Sequence, residues 1–402
     1  MNKYKNILVT IPYNLQKSYH GNAIRIKYML ETIRKSNTKT MLLQYDLPWL
    51  RSKEQYFYVV KPEIILAAGL SKIIFNFSFY DVLCSLLNPV RNLEKILKEI
   101  IEKEKVDIVQ VENLWPLPPT INSLKNELPI IVTVHDVYSE RYQEVIEYTS
   151  KTPKFLKDKV VKKVREIEVK YLNKADCIVS LTEEDKQTYS RMGIEPSKIR
   201  VIPSGVDTEK IKPEPPDPNL LRKYKRKEKD TILFFAGSLM YQNKKAIDDI
   251  ASHLMPKILK KDKNVKILVA GTISKYIIHK GYNTRFPIIP LGYVDNINKY
   301  YSISDIVLIP TFLGTGFKTK TLEAMAAGKP VVTNSKSARG IRVANWDNIV
   351  ICEDFDCMIE ALLYLKEHKE VAKRIGENAR VTAEDYDWKN VMNEYIKIYR
   401  EF

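Results

Sequence analysis

Short apolar runs alternate along the chain with stretches in which apolar residues return every three or four positions. These are the patterns of buried strands and of helices with one buried face. In the first half the runs fall at 6–11, 40–45, 107–111, 129–134 and 176–181, and the helical periodicity at 22–35, 91–105, 155–172 and 183–192. Strand and helix repeated in this order predict a parallel sheet covered on both faces. The segment 212–230, KPEPPDPNLLRKYKRKEKD, breaks the rhythm with prolines and then dense charge, and reads as an exposed connector. The pattern then restarts, with strands at 232–236, 265–270, 288–291, 305–310, 330–333 and 348–352 and helices such as 245–259 and 319–327. The expected fold class is α/β: two doubly wound, Rossmann-like domains facing each other, with ligands at the carboxyl ends of the strands. The first domain spans 1–207 and is completed by a terminal helix at 387–402; the second spans 208–386.

Composition narrows the function. A length of 402 residues suits two domains, and 45% hydrophobic with 28% charged residues excludes a disordered, collagenous or disulfide-stapled chain. The apolar run at 7–12 is too short for a signal-peptide core, which predicts a cytoplasmic protein. A spanning helix needs about twenty apolar residues, and the best stretch, 64–88, is interrupted by Lys72 and Asp81, so a buried strand and helix are expected there ahead of the alternative, a segment lying against a bilayer interface. Cys84, Cys177, Cys352 and Cys357 lack the second pair or histidines of a zinc site and read as buried thiols. Charge adds a demand: 65 Lys and Arg against 49 Asp and Glu leave +16, which favours an anionic partner. Nucleic acid is set aside, because no recognition motif or interleaved aromatic and basic ladder occurs. The stretch 154–174 holds eight Lys or Arg against three Asp or Glu, with Phe155, Val160, Val161, Val164, Ile167 and Leu172 near one helical face. Such a helix either lies on an anionic membrane or turns its apolar side to the core and its basic back to water.

Glycine marks where chemistry can occur. Only 13 residues are Gly, and Gly237, Gly271, Gly314 and Gly316 each follow a predicted strand, where backbone N–H groups can approach an anion. The most informative stretch is PTFLGTGFKTKTLEAMAAGKPVV, 310–332. A strand ends, two glycines make a tight passage, and a helix starts near Lys318 with its free N–H groups facing outward. Lys318 and Lys320 add positive charge. Glu323, one turn inside, either accepts two hydrogen bonds from neighbouring hydroxyls such as those of a ribose or merely complements the helix dipole.

This stretch resembles the signature of glycosyltransferase family 4, retaining enzymes of the GT-B fold. The likeness continues in VIPSGVD at 201–207, ADCIVSLTEED at 175–185, FFAGSLMYQNKKAI at 234–247, LGYVDNINKYYSISDIVLIP at 291–310 and YDWKNVMNEYIKIY at 386–399. The resemblance implies transfer of a hexose from a UDP- or GDP-sugar to a glycan, lipid-linked or polysaccharide acceptor, at the inner face of the cell membrane where the acceptor sits there. It implies that Glu323 holds the ribose, that Gly316 and Phe317 offer N–H groups to the sugar and diphosphate, and that Lys244 meets the diphosphate. It also implies that His135, in VTVHD, faces the donor sugar and that Gly21 belongs to a loop closing over the diphosphate. A GT-B epimerase and a non-catalytic relative are the competing expectations.

Two departures stand out. Thr315 occupies the place of a second glutamate that commonly touches the transferred sugar, and Ser238, after Gly237, stands where an arginine is common. Loss of that arginine removes a bidentate phosphate partner, and Lys318 and Lys320 are expected to substitute. In the mechanism implied, lysines and a helix end stabilise the departing diphosphate, which takes the acceptor's proton, so neither metal nor other cofactor is expected.

Overall fold

The computed structural model describes residues 5–12, 15, 21–36, 38–45, 56–58, 66–68, 70–71, 93–124, 127–149, 151, 153–224 and 227–402. Contacts divide the chain into two compact units, Met1–Pro203 with Lys389–Phe402, and Ser204–Trp388. Both divisions fall within a few residues of the expected boundaries at 207/208 and 386/387. Cys84 and most of 64–88 lie outside the described residues. Among the described residues no helix is long and apolar enough to cross a membrane.

The first unit holds seven parallel strands: β1 (Ile7–Ile11), β2 (Thr40–Tyr45), β3 (Tyr56–Tyr58), β4 (Ile108–Glu112), β5 (Ile130–Thr133), β6 (Cys177–Ser180) and β7 (Ile199–Val201). Their order is β3-β2-β1-β4-β5-β6-β7, so the chain steps one way from β1 and then returns to its other side. All five residues of β1 and of β4 are buried, because helices cover both faces and no position in a central strand meets water. β3 and β7 lie outside the predicted strands; three residues are too few to show a period. The helix Leu117–Leu124 carries Pro118 and Pro119 in its first turn, where a missing N–H leaves no intrahelical bond unmade.

The basic helix is Lys154–Leu172. Val164, Ile167 and Leu172 are buried in the core of the first unit, so the stripe weighed as a membrane face packs inward over the second half of the helix, while Phe155 at its start is 65% exposed. Glu168 on the same helix is fully buried, and its carboxylate accepts the N–H groups of Tyr138 (2.6 Å) and Ser139 (2.9 Å) and the hydroxyl of Tyr189 (3.1 Å). It thereby caps the free N–H groups at the start of the helix Tyr138–Thr149. Burial nevertheless outweighs these bonds and pushes its pKa from 4.5 to about 7. Between those values the folded state holds a proton that the unfolded chain has lost, so this group makes stability fall as pH rises, by up to about 1.4 kcal/mol per pH unit. Urea unfolding of the Glu168→Gln variant is expected to show a shallower decline between pH 5 and 7 than the unsubstituted protein. An equally steep decline would refute the assignment.

The second unit repeats the plan with β8 (Thr231–Ala236), β9 (Val265–Ala270), β10 (Ile288–Gly292), β11 (Ile306–Ile309), β12 (Val331–Thr333) and β13 (Val350–Ile351), ordered β10-β9-β8-β11-β12-β13. β8 and β11 are neighbours, and the loops after them leave the sheet toward opposite sides, which makes their carboxyl ends the ligand-binding crevice of such a sheet.

Three expectations need correction. The connector 212–230 contains the helix Pro218–Tyr224, started by Asp217, whose carboxylate accepts the N–H groups of Asn219 and Leu220, and held by the buried ring of Tyr224. The helix expected at 245–259 begins at Tyr241 and passes through a π turn, Ile250–Leu254, which relieves the clash and the missing donor of Pro256. Cys352 and Cys357 are not separate thiols but a disulfide, with Cα atoms 5.4 Å apart, because the chain turns back as Asp354 caps the helix Phe355–Glu367. Cys177 is a buried thiol, raised by burial to about 11.

Candidate functional site

At the end of β8 the chain turns sharply through 237–240 into the helix Tyr241–Asp249. The Gly237 N–H donates to the Ala270 carbonyl, and the Gly237 carbonyl accepts the N–H of Ile273, while the Gly271 N–H donates to Gly292. Backbone contact therefore joins the ends of β8, β9 and β10. Ser238, expected at the donor, is exposed at the turn, and its carbonyl accepts the Met240 N–H (2.8 Å) and the side-chain amide of Asn243 (2.9 Å).

After β11 the loop passes Gly314 and Gly316, at φ +94° and +70°, into the helix Thr319–Ala326. Among the described residues the N–H groups of Gly316 and Phe317 have no protein acceptor. The Lys318 ammonium turns back onto its own loop, donating to the carbonyls of Thr315 (2.6 Å) and Gly316 (3.4 Å). It stiffens the passage and leaves a positive charge there. Phe317 is half-buried, its ring 6.4 Å from that of Tyr386. Lys320 donates to Asn243 Oδ1 (2.6 Å) and lies 4.4 Å from the centre of the Phe235 ring. Thr321 anchors the helix through the Ser337 carbonyl.

Glu323 projects from the second turn of this helix, half-buried, and among the described residues its carboxylate accepts no hydrogen bond. Burial raises it from 4.5 to about 7, against the pull of Lys320. Lys320 moves the other way: burial, with repulsion from Lys318, lowers it from 10.5 to about 7, opposed by Glu323. An acceptor without donors, two lysines and unpartnered N–H groups thus meet at the carboxyl end of β11. Chemically the arrangement suits a ligand that brings hydroxyls for Glu323 and negative charge for the lysines and the helix end.

The ammonium of Lys244, the residue expected on a diphosphate, lies 5.6 Å from the ring centre of Tyr276 on the helix Ser274–Lys280. The buried neighbour Asn243 faces the Thr319–Ala326 helix. Asn243 escaped the sequence reading, and the signal available was a polar residue at a core-facing helical position. A cavity of about 530 Å³ opens at the opposite end of this sheet, lined by Thr231, Ile306 and Pro330 beside Lys369 and Lys373. Ligands of doubly wound sheets bind at the carboxyl ends of strands, so the site is placed at Gly237 and Gly316.

His135 belongs to the first unit, just after β5, and is 2% exposed. Its Nε2 lies 3.1 Å from Glu112 Oε2, and its Nδ1 has no partner among the described residues. Glu112 Oε1 accepts from Gln110, which also donates to Thr133, whose hydroxyl is 2.9 Å from that of Tyr395. Arg25 completes the buried network, donating to Tyr395 and to the carbonyls of Ile202 and Pro203. Glu112 was also missed; polar residues at alternate positions of the apolar run IVQVE were the available signal. Gly21 is the first, exposed residue of the helix Gly21–Lys35.

A family model described as Glycosyltransferase Family 4 matches residues 63–210, and one described as Glycosyl transferases group 1 matches residues 230–368. The chain is 24% identical over 314 residues to UDP-Gal:alpha-D-GlcNAc-diphosphoundecaprenol alpha-1,3-galactosyltransferase of Escherichia coli, covering 75% of this chain and 77% of that one. Matches to two glycosyltransferases of Methanocaldococcus jannaschii span 58% of their length. Among solved structures, sucrose-phosphate synthase of Thermosynechococcus elongatus has the same fold, with a TM-score of 0.72 at 14% identity over 99% of this chain and 98% of that one. Anabaena HepE, solved in complex with UDP-glucose, has a TM-score of 0.68 at 12% identity, over 99% and 100% of the two chains.

Proposed function

Because the chain belongs to glycosyltransferase family 4 and has the GT-B fold, we propose that it is a retaining hexosyltransferase drawing on a UDP- or GDP-hexose. The observation that carries this reading is the Glu323 carboxylate, without a donor among the described residues, one turn inside a helix whose approach loop presents the Gly316 and Phe317 N–H groups, which have no acceptor among those residues. A ribose supplies the two hydroxyls that Glu323 lacks, and a diphosphate supplies charge for the N–H groups and lysines. The Escherichia coli relative is named for a UDP-sugar donor and a diphosphoundecaprenol acceptor, which supports a uridine donor and a lipid-linked or other glycan acceptor here.

During transfer the bond from the anomeric carbon to the diphosphate oxygen breaks, a bond to the acceptor oxygen forms on the same face, and the acceptor's proton passes to the departing phosphate. Negative charge grows on the leaving oxygens, and groups already fixed around it stabilise that state more than the bound substrate. Lys318, Lys320 and the helix start supply the positive charge that a magnesium ion would otherwise bring. Thermal unfolding with UDP-, GDP-, ADP- and dTDP-sugars in the presence of EDTA tests the reading, since a ligand at 100 times its Kd adds about 2.7 kcal/mol. A selective rise with one UDP- or GDP-sugar is expected. A rise only on adding magnesium would refute the metal-free site, and no rise with any donor would refute the donor site.

A further inference from the structure

We propose that Asn243 is a positioning residue of the donor site, fixing the Lys320 ammonium beside the 237–240 turn, and that a nucleoside diphosphate is taken up there together with a proton carried by Lys320. The inference rests on the donor-site reading above and adds to it a residue and a proton.

The geometry is specific. Asn243 is 4% exposed, and both ends of its amide are used: the NH2 donates to the Ser238 carbonyl, and the oxygen accepts from Lys320. One side chain therefore ties the turn after β8 to the helix after β11, the two segments that flank the crevice. Gly237 lets this side chain in, since a Cβ there would lie 3.0 Å from Asn243 Cγ. No other natural side chain of this length offers a donor and an acceptor without charge.

Around the Lys320 nitrogen, β8 contributes the Phe235 ring and the helix after it the Asn243 oxygen, both uncharged. The charges acting on it come from Lys318, which repels, and Glu323, which attracts. With burial added, the amine sits near pH 7 and is mostly unprotonated at pH 8. A diphosphate over the turn restores the balance toward the ammonium: the free amine takes a proton from the buffer and becomes the cation the bound anion requires.

Titration calorimetry of the full chain with UDP, and in turn GDP, at pH 8 in HEPES and in Tris reads this proton directly, because the two buffers release it with different heats. The unsubstituted protein is expected to take up between half a proton and one per ligand bound. Lys320→Met should abolish the uptake and weaken binding at least tenfold. Asn243→Asp places a carboxylate against Lys320, keeps it protonated beforehand, and should also abolish the uptake; undiminished uptake in this variant would show that this side chain does not set the Lys320 proton and would overturn the proposal. UDP or GDP binding without uptake, or with the same uptake in Lys320→Met, would overturn the proposal and leave the donor site standing. Binding of neither nucleotide would overturn the donor reading and this proposal with it.

Discussion

Replacing Glu323 with glutamine is expected to raise the melting temperature of the ligand-free protein while weakening nucleotide-sugar binding by about a hundredfold. The two effects have one origin. Glu323 is held half-buried without a hydrogen-bond donor among the described residues, so its ionised form is costly, as its rise to about 7 records. A glutamine of the same shape removes that cost. The gain is about 1–2 kcal/mol at pH 8, or a few degrees for a unit of this size. Its pH dependence has a definite sign. The unfolded carboxylate ionises near 4.5 and the folded one near 7, so the advantage of the variant opens between those values and is flat above them. Binding responds in the opposite sense. Two hydroxyl bonds to a carboxylate contribute about 1.5–3 kcal/mol each, and an amide oxygen retains only part of that, leaving a loss near 2.7 kcal/mol. Differential scanning of the free protein with titration of the donor measures both. A variant that loses stability, or that binds donor normally, would show that Glu323 serves the helix and not the ligand.

Gly271→Ala should lower the melting temperature by about 10 °C and loosen the donor turn. At φ +97° this position disfavours any side chain, and a Cβ would stand 2.2 Å from the Gly237 carbonyl oxygen. Relief is hard to find, because that carbonyl accepts from Ile273, the Gly237 N–H donates to Ala270, and the Gly271 N–H donates to Gly292. Any shift must move the ends of β8, β9 and β10 together. Strain and displaced hydrogen bonds together amount to about 3–4 kcal/mol. Gly193 is the control: its φ is +93°, yet nothing lies within 4 Å of its Cβ position. Gly193→Ala should therefore cost only the backbone strain, about 1–2 kcal/mol. Circular dichroism melts of both variants decide the matter. Equal losses would mean that backbone conformation alone, and not the Gly237 contact, sets the requirement.

Much of the architecture is visible in single segments. ILVTI, IVQVE and TILFFA are strands because a short, mostly apolar run of five or six residues buried on both faces is too short for a helix and is followed by a turn and a helical repeat. The order of such strands in the sheet follows from handedness and short connections more than from particular residues. The site is legible for the same reason: Gly316, Lys318, Lys320 and Glu323 lie within eight positions, and a strand, a glycine turn and a helix start place them without help from the rest of the chain.

Pairings between distant segments are different in kind. Asn243 and Lys320 are 77 positions apart, and only the adjacency of β8 and β11 brings the amide to the amine. Packing of neighbouring helices sent Lys244 to Tyr276, and the curl of the loop sent the Lys318 ammonium onto the carbonyls of Thr315 and Gly316. Glu112 meets His135 because β4 and β5 are paired, and Cys352 meets Cys357 because a capped helix folds the chain back. The sequence alone determined which segments are buried and where a glycine turn and a helix start bring lysines and a glutamate together, since those depend on local period and local chemistry. Tertiary structure alone decided which buried polar groups are partners and how far burial moves their protons, because both depend on what distant parts of the chain place within a few ångströms.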